Sequence, residues 1–521
     1  MSKSKTLSAA GITISIVGAL FFVELVSGFL QGYYIPIIPD MVRWLHLNGA
    51  GVDDANFNVF EGMQLLVAAI VVPIMAKLGD MYGHKKILLI SAAVTAAATW
   101  SLIWANSFWM FLIAWSLQGF LTVWLPLEIA LIFDKARRSN IAASATRKAA
   151  AWLIVGLEAG AIIGALAAGR LFKMFGGGIL EGENIDTNAA EIGARLDGSI
   201  PLTLMVPAIM VTAVILVIWF AVPESQPTPG RSLDWVGFSI LTIALLLITS
   251  GLSLLKPDLH EGAGAPFWVY AVIIIGLLTL IPFAKWTGKQ EDPAIDLKVM
   301  KRPTLWPVLA CAGLIGISLL GAQAPMSTYA GTVHPEYGLG LDSSDISYLI
   351  GVYLISMIIG AILFPSLSKW LTPRYAMVIG AALVFLGYGM LLPFHLSVVE
   401  VMINMATLGV GAGILMGAMP SAAAAAAPKE QTGIATGLTN TTKTIGGAFA
   451  SAMFAVVLTI GTVQGASQII APLAGYMWVW GICAGGAFLA GLLLLASPKD
   501  AFGDNPDEVS AAGTAETRAV S

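Results

Sequence analysis

Ala76-Lys77-Leu78-Gly79-Asp80-Met81-Tyr82-Gly83-His84-Lys85-Lys86 is the stretch on which the reading of this chain turns. It is a short polar interruption between two long apolar runs, and its residues have physical uses there. Gly83 permits a tight turn, Asp80 can cap a helix start, and the lysines supply the positive charge that favours the cytoplasmic side of a membrane. The membrane itself follows from composition. Of 521 residues, 57% are hydrophobic and only 11% are charged, with 27 Lys and Arg against 31 Asp and Glu. A soluble domain carries about 25% charge. At a mean hydropathy of +0.83 the chain cannot hide its apolar surface in water, so the bilayer must serve as solvent. This excludes a cytosolic enzyme, a secreted disulfide scaffold and a nucleic-acid reader, the last also opposed by a net charge of −4. Cys311 and Cys483 both lie in apolar runs, and the five histidines fall in loops or near span ends. Neither a disulfide framework nor a metal site is implied, and no cofactor is expected.

Each helical crossing needs about 20 apolar residues. Runs of that length predict fourteen spans, at 14–38, 59–78, 87–106, 109–132, 149–170, 201–222, 235–255, 266–285, 304–325, 345–368, 375–394, 399–427, 441–464 and 472–496. The start, Met1-Ser2-Lys3-Ser4-Lys5, is like a signal n-region, but the apolar stretch behind it is as long as a span and is kept as the first helix. With the N-terminus cytoplasmic, the outer side holds Arg43, Arg170, Lys173, Arg195 and Lys256. The remaining 22 of the 27 bases fall inside, including Lys135, Arg137, Arg138, Arg147, Lys148, Lys298, Lys301 and Arg302. Both termini are therefore expected in the cytoplasm. The outer segment 174–200 is Gly-rich at Gly176–Gly178 and carries Glu181, Glu183, Asp186, Glu191 and Asp197 against Arg195 alone. It reads as a solvated acidic loop, with a lid as the alternative. Residues 286–303 form a charged inner connector, and 498–521 a disordered cytoplasmic tail.

The opening stretch resembles the loop signature of the major facilitator superfamily, G-x-L-x-D-x-x-G-R-R/K, with Ala76 for the first Gly and His84 for the first Arg. At identical spacing, Pro365-x-Leu367-x-Lys369-x-x-Thr372-x-Arg374 looks like the degenerate second copy expected of two parallel halves. In the family the acid and bases of this loop latch the bundle against neighbouring helix ends, which makes Asp134, closing span 4, the natural partner for Lys85 or Lys86. Leu117-Gln118-Gly119 followed by Pro126 resembles the fourth-helix pattern R-x-x-Q-G, with Trp115 in place of the Arg. Gly156-x-x-x-Gly160-x-x-x-Gly164 resembles the fifth-helix antiporter pattern, with Ala161 in place of its Pro. Arg231-x-x-Asp234-Trp235-x-Gly237, Asp296-Leu297 and Lys301-Arg302 look like the flanks of two extra helices in fourteen-helix drug:proton antiporters, and the runs from Thr432 and Ile445 fit that branch. The usual acid before the Pro that ends helix 1 is missing; if Pro39 is that Pro, Gln31 lies near its place. The resemblance implies an all-α membrane protein of the major facilitator fold. It would comprise a six-helix bundle in 1–222, two inserted helices with connectors in 223–303, and a second six-helix bundle in 304–497, around a cavity that opens alternately to each side.

Ionisable groups at membrane depth are costly and normally face a cavity or a partner. Glu24 and Glu158 fall near mid-bilayer, Glu128 toward the inner end of span 4 and Glu61 toward the outer end of span 2. No Lys or Arg of the first half lies at comparable depth. A buried carboxyl without a base holds its proton more tightly and can exchange it near neutral pH. These four acids are the expected proton-coupling residues, with protonated structural hydrogen-bond donors as the alternative. Glu24, Ser27, Gly28 and Gln31 form one helical stripe expected to line the cavity. Glycines 156, 160 and 164 face away from Glu158, so one side of helix 5 packs while the other presents the acid. Trp115, Gln118 and Thr122 share a face and, with Gln31, are the expected substrate contacts; aromatic packing is the alternative for Trp115, Trp124 and Trp152. Asp80, Gly83, Lys85, Lys86 and Asp134 are the expected gate.

Together these features predict proton-driven export of a lipophilic or amphipathic, in some cases cationic, small molecule across a bacterial plasma membrane. The carrier is expected to act as a monomer, with substrate, protons and bilayer as partners. Export of an endogenous lipid or glycolipid, and proton-coupled uptake, are the alternatives. An enzyme would need a nucleophile–base pair or a metal cluster at membrane depth, and the sequence offers neither.

Overall fold

The computed structural model describes residues 14–138, 143–178, 188–225, 232–256, 265–290, 293–320, 322–426, 432–460, 463–464 and 469–497. The expected tail at 498–521, the acids Glu181, Glu183 and Asp186, and Arg231 lie outside the described residues, as do the side chains of Arg137, Arg138, Arg147 and Lys148.

In lipid every backbone polar group must be satisfied within the segment, so the apolar runs become helices. The first half contains α1 (Ile14–Tyr33), α2 (Ile38–Leu47), α3 (Asp54–Tyr82), α4 (His84–Ile103), α5 (Phe108–Leu117), α6 (Trp124–Arg138), α7 (Ala143–Met174) and α8 (Ala189–Ala221). Then come α9 (Trp235–Ser253), α10 (Phe267–Thr287) and the single turn α11 (Leu297–Met300). The second half contains α12 (Trp306–Leu319), α13 (Gln323–Gly331), α14 (Ser343–Trp370), α15 (Pro373–Leu391), α16 (Val398–Ala426), α17 (Thr432–Val457) and α18 (Leu473–Ala496). The molecule is all-α apart from a two-residue antiparallel pair, Val463–Gln464 with Ile469–Ile470. Among the described residues, thirteen spans are long and apolar enough to cross a membrane.

Several elements differ from the expected ones, each for a local reason. Span 1 continues through a 3-10 turn at Ile35–Ile37 into α2, because Pro36 has no N–H to extend the ladder of α1. Span 4 divides into α5, a 3-10 segment at Gln118–Val123 and α6. Span 9 divides into α12 and α13. α17 starts at Thr432 rather than 441, since a scan for apolar runs overlooks a helical stretch whose threonines bond back to their own backbone, as Thr442 to Leu438 O (2.8 Å) and Thr444 to Asn440 O (2.9 Å). It is absent from the thirteen apolar spans although it is 26 residues long. The second part of the acidic segment is likewise helical rather than loop. Ile192, Leu196 and Ile200 form the buried face of α8, and Asp197 Oδ1 accepts from Trp44 Nε1 at 2.8 Å and Asn48 Nδ2 at 2.7 Å.

Two buried apolar clusters fill the interior. One is drawn from α1–α8; the other comes from α12–α18 together with Phe238, Leu241 and Leu245 of α9 and Phe283 of α10. They interlock, because Ala324 of α13 sits in the first and Leu66 and Ala165 in the second.

The tightest contact in the first half is the crossing of α1 and α7. A Cβ on Gly28 would overlap the Leu157 carbonyl, one on Gly160 the Leu25 carbonyl, and one on Gly164 the Phe29 carbonyl. The first and fifth long helices of the second half, α12 and α17, meet the same way through Gly316 and Gly446. Without side chains between them, the backbones themselves are in van der Waals contact. Replacing Gly160 by Val is expected to lower the thermal midpoint of the detergent-purified protein clearly, since even ordinary overpacking costs about 1–3 kcal/mol. Gly485→Ala, where a Cβ meets nothing within 4 Å, should leave it unchanged. Equal midpoints for the two variants would show that the crossing does not carry stability.

Candidate functional site

The polar stretch between α3 and α4 turns at Gly83, whose φ is 104°. Its counterpart between α14 and α15 turns at Thr372, φ 118°, the one non-glycine residue with positive φ among those described. Two residues further on, both copies place a base on the C-terminus of the last helix of their half. Lys85 Nζ donates to Trp219 O of α8 at 2.8 Å. Arg374 Nε donates to Leu494 O of α18 at 2.8 Å, and its Nη2 donates to Leu495 O. These carbonyls are the negative end of a helix dipole, so a cation there satisfies acceptors and charge together.

The expected roles of Asp80 and Asp134 change. Asp80 caps no helix: it belongs to the last turn of α3, with Oδ1 3.4 Å from His84 Nε2. The N-terminus of α4 is served instead by the segment after α8. Ser225 Oγ accepts the His84 backbone N–H at 2.7 Å and also meets His84 Nδ1 at 2.7 Å, while Glu224 Oε1 accepts the Lys85 backbone N–H at 3.0 Å. Lys85 therefore turns to α8 rather than to Asp134, which is half-buried on α6, and Lys86 is exposed. Glu224 escaped the sequence reading because nothing local ties Pro223-Glu224-Ser225 to a helix start so far away in the chain.

The four acids separate into three situations. Glu24 of α1 and Glu128 of α6 are fully buried, and neither carboxyl has a hydrogen-bond partner among the described residues. They interact electrostatically with each other, in surroundings where charge is expensive. The stripe expected on α1 accordingly splits. Gly28 lies in the crossing with α7, Ser27 is buried, and only Gln31 is exposed, its Nε2 donating to Ser27 Oγ at 3.3 Å. Glu61 on α3 is nearly buried and accepts the backbone N–H of Ala324, which ties the first half to α13 of the second.

Glu158 is half-buried on the side of α7 away from the α1 crossing. It interacts electrostatically with Lys443 of α17 and Tyr353 of α14, both from the second half. The expectation that this acid lacks a basic companion is thus corrected. Lys443 is half-buried, and its Nζ donates to the Met416 sulfur at 3.5 Å. It was overlooked because a helix beginning at 441 places it at the membrane rim; with α17 starting at Thr432 it stands about midway along the helix.

The expected substrate face on span 4 is corrected too. Trp115 is buried, stacked on Phe111 (centroids 5.6 Å apart) and edge-on to Phe57 (5.0 Å) and Tyr34 (5.1 Å). Gln118 is buried with Nε2 donating to the Tyr34 hydroxyl at 3.2 Å, and half-buried Thr122 donates to Gly119 O at 2.8 Å. The 3-10 segment at Gln118–Val123 invalidates a constant 100° rotation per residue, so the shared α-helical face does not form. Trp124 Nε1 donates to Ser91 Oγ at 3.2 Å inside the same half.

At the end opposite Gly83, polar contacts join the halves directly. Asp40 accepts from Arg43 at 3.0 Å and from the Ser343 hydroxyl. Ser327 Oγ donates to Ile35 O at 2.5 Å, Arg170 to the Tyr348 hydroxyl at 2.8 Å, and Lys173 pairs with Asp342 at 2.7 Å. Asp342 also caps α14, accepting the N–H groups of Ser344 (2.9 Å) and Asp345 (3.0 Å). Partial burial works against its charge, but the Lys173 hydrogen bond and these N–H groups hold the carboxyl below its ordinary range. What the ionised form contributes is therefore present above that ordinary range and is lost only as pH falls through the lowered value.

The Major Facilitator Superfamily profile matches residues 20–451. This chain belongs to that superfamily. It is a multi-pass membrane protein. It is 27% identical over 401 residues to the probable actinorhodin transporter of Streptomyces coelicolor, an alignment covering 73% of this chain and 62% of that one. It is 23% identical over 469 residues to the multidrug efflux pump LfrA of Mycolicibacterium smegmatis, covering 88% and 82%. Among solved structures, a point mutant of the nucleoside transporter NupG superposes with a TM-score of 0.62 at 11% identity, over 92% of this chain and 99% of the other, which speaks to the fold.

The two loop bases differ in burial, and that sets an expected order of effects. Arg374→Ala removes a buried cation from two helix-end carbonyls, where hydrogen bonds to charged groups contribute about 1.5–3 kcal/mol. Lys85→Ala removes a half-exposed one from a single carbonyl. Thermal unfolding in detergent should show the larger loss for Arg374→Ala; the reverse order would contradict this account of the loops.

Proposed function

We propose that this transporter exports lipophilic or amphipathic small molecules across the plasma membrane by alternating access, driven by protons. The observation that carries the reading is the electrostatic interaction between Glu158 on α7 of the first half and Lys443, about midway along α17 of the second. Ionised, Glu158 attracts Lys443 and favours the arrangement that keeps them close; protonated, it loses that attraction. Proton occupancy then shifts the balance between arrangements of the halves, and such couplings are typically about 1–3 kcal/mol.

The moving bodies in this proposal are residues 1–222 and 304–497, joined through 223–303. Asp40, Ser343, Lys173 and Asp342 close one end. With the lysine-rich loop end in the cytoplasm, that is the outer gate, and Asp80, Gly83, Lys85, Lys86 and Asp134 belong to the inner one. Glu24 and Glu128 are fully buried in this arrangement and act as a second proton store reached when α1 and α6 part; Glu61 couples α13 to α3. The relative named for multidrug efflux supports outward movement, and the one named for actinorhodin transport supports a small-molecule cargo.

Reconstitution into proteoliposomes with an imposed pH difference and a panel of dyes, antibiotics and lipids tests the reading. Wild-type flux of at least one lipophilic compound should reverse with the sign of the gradient. Glu158→Gln should reduce gradient-driven flux at least tenfold while passive exchange persists, and Glu24→Gln should reduce it less. Indifference of the wild type to the gradient, or unaltered coupled flux in both variants, would remove protons from the mechanism.

A further inference from the structure

The inserted helix α9 packs against both α3 of the first half and α17 of the second. Its partner α10 lies on it through close contacts of Gly276 with Ile248 and of Gly251 with Ile273. At the Gly83 end one carboxylate gathers the pair. Asp234 Oδ1 accepts the Gly237 N–H at the start of α9 and Trp286 Nε1 near the end of α10, both at 2.8 Å. Its Oδ2 accepts the Ala294 N–H at 3.2 Å. The start of α9, the end of α10 and the connector that follows are therefore held together as one body.

That body is gripped from both halves. Lys77 of α3 donates through Nζ to Pro293 O at 2.7 Å, and such a bond from an ammonium is stronger than one between neutral groups. On the other side Ala294, Ile295 and Val299 are buried in the apolar cluster of the second half, and α11 packs on α17. The path from one half to the other is thus short: a lysine, a carbonyl and the buried side chains beside it. The far end of the pair is held differently. Lys256, buried just beyond α9, donates to Asn56 Oδ1 of α3 at 2.6 Å and stands 3.9 Å from Asp53 Oδ2. Both lysines tie the pair to α3, one at each end. The residues it buries in the second half, Phe238, Leu241, Leu245 and Phe283 with the connector, all lie toward the Gly83 end.

Resting on the reading that the halves rock against each other, we propose that the inserted pair is a strap limiting how far they part at the Gly83 end. Lys77 is the positioning residue that fastens it. The strap takes tension when α3 moves away from α17 and goes slack when they approach, so it restrains opening without opposing closure.

Spin labels test this on the full chain with Cys311 and Cys483 replaced by Ala. Tyr82→Cys and Trp370→Cys place one labelled pair at exposed positions of the Gly83 end; Trp104→Cys and Leu396→Cys place a second at the opposite end. Pulsed electron paramagnetic resonance in detergent, at constant pH without cargo or gradient, reads both distances independently of proton coupling. Lys77→Ala should shift the first pair to longer distances and leave the second where it is. Lys77→Arg, which can donate to the same carbonyl, should restore the wild-type distribution. Ile295→Asp puts a charge into the apolar cluster and cuts the strap from the other side. It should lengthen the first pair as Lys77→Ala does, and the double variant should lengthen it no further. Lys256→Ala should leave the first pair unchanged. An unchanged first pair in Lys77→Ala overturns the proposal, as does a shift of both pairs or a failure of Lys77→Arg to restore the distribution. So does an equal lengthening by Lys256→Ala, or a double variant that adds to the single ones. Distances that answer to Lys77 in a carrier whose flux ignores a proton gradient leave the strap standing while the proton reading fails.

Discussion

Backbone contact between α1 and α7 fixes where the embedded acids of the first half point. With Gly28 against Leu157 and Gly160 against Leu25, the two helices leave no room for rotation about their own axes. Glu24 is thereby committed to the interior, beside Glu128, and Glu158 to the opposite side of α7, toward Lys443. Larger residues at the crossing would separate the axes by side-chain thickness and free both helices to turn. The glycines are packing devices first, and their consequence for chemistry is directional.

A second constraint acts at the helix ends. The halves share little obvious sequence, yet both make a left-handed turn at the same place in the motif and both send the base two residues later to the last helix of their own half. Glycine reaches that conformation at little cost, whereas a threonine held there costs about 1–3 kcal/mol and persists only when its surroundings impose it. At Thr372 they include its own side chain, which caps the Tyr375 N–H, and the anchoring of Arg374 two residues on. The first half reaches the same end with a better turn residue and a half-exposed lysine. One geometry is thus secured by different local means.

Much of the architecture was legible in the chain because hydrocarbon solvent imposes length and apolarity on each crossing. What escaped was whatever departs from an apolar run. α17 begins in a threonine-rich stretch, so its start was misplaced and Lys443 went unnoticed; the amphipathic start of α8 looked like an acidic loop. The spacing of Trp115, Gln118 and Thr122 pointed to a shared face only on the assumption of an uninterrupted α-helix, and the 3-10 segment removes it. Partners distant in sequence, Glu224 for α4 and Lys443 for Glu158, had no local signal at all.

The three kinds of acid also differ in what a proton does to them. At Glu24 and Glu128 the surroundings offer neither hydrogen bonds nor a cation among the described residues, so a change of charge there would have to be accompanied by movement of α1 against α6. Glu61 already holds a backbone N–H from α13, and its state bears on one contact between the halves. Glu158 differs from both: it is half-buried and interacts with a cation of the opposite half. A proton and a cargo cation compete for such a carboxylate, and either one takes from Lys443 part of the attraction that ionised Glu158 gives it. An acid alone could choose between proton and cation. An acid that interacts with a base of the opposite half can, in addition, tie that choice to how the two halves stand.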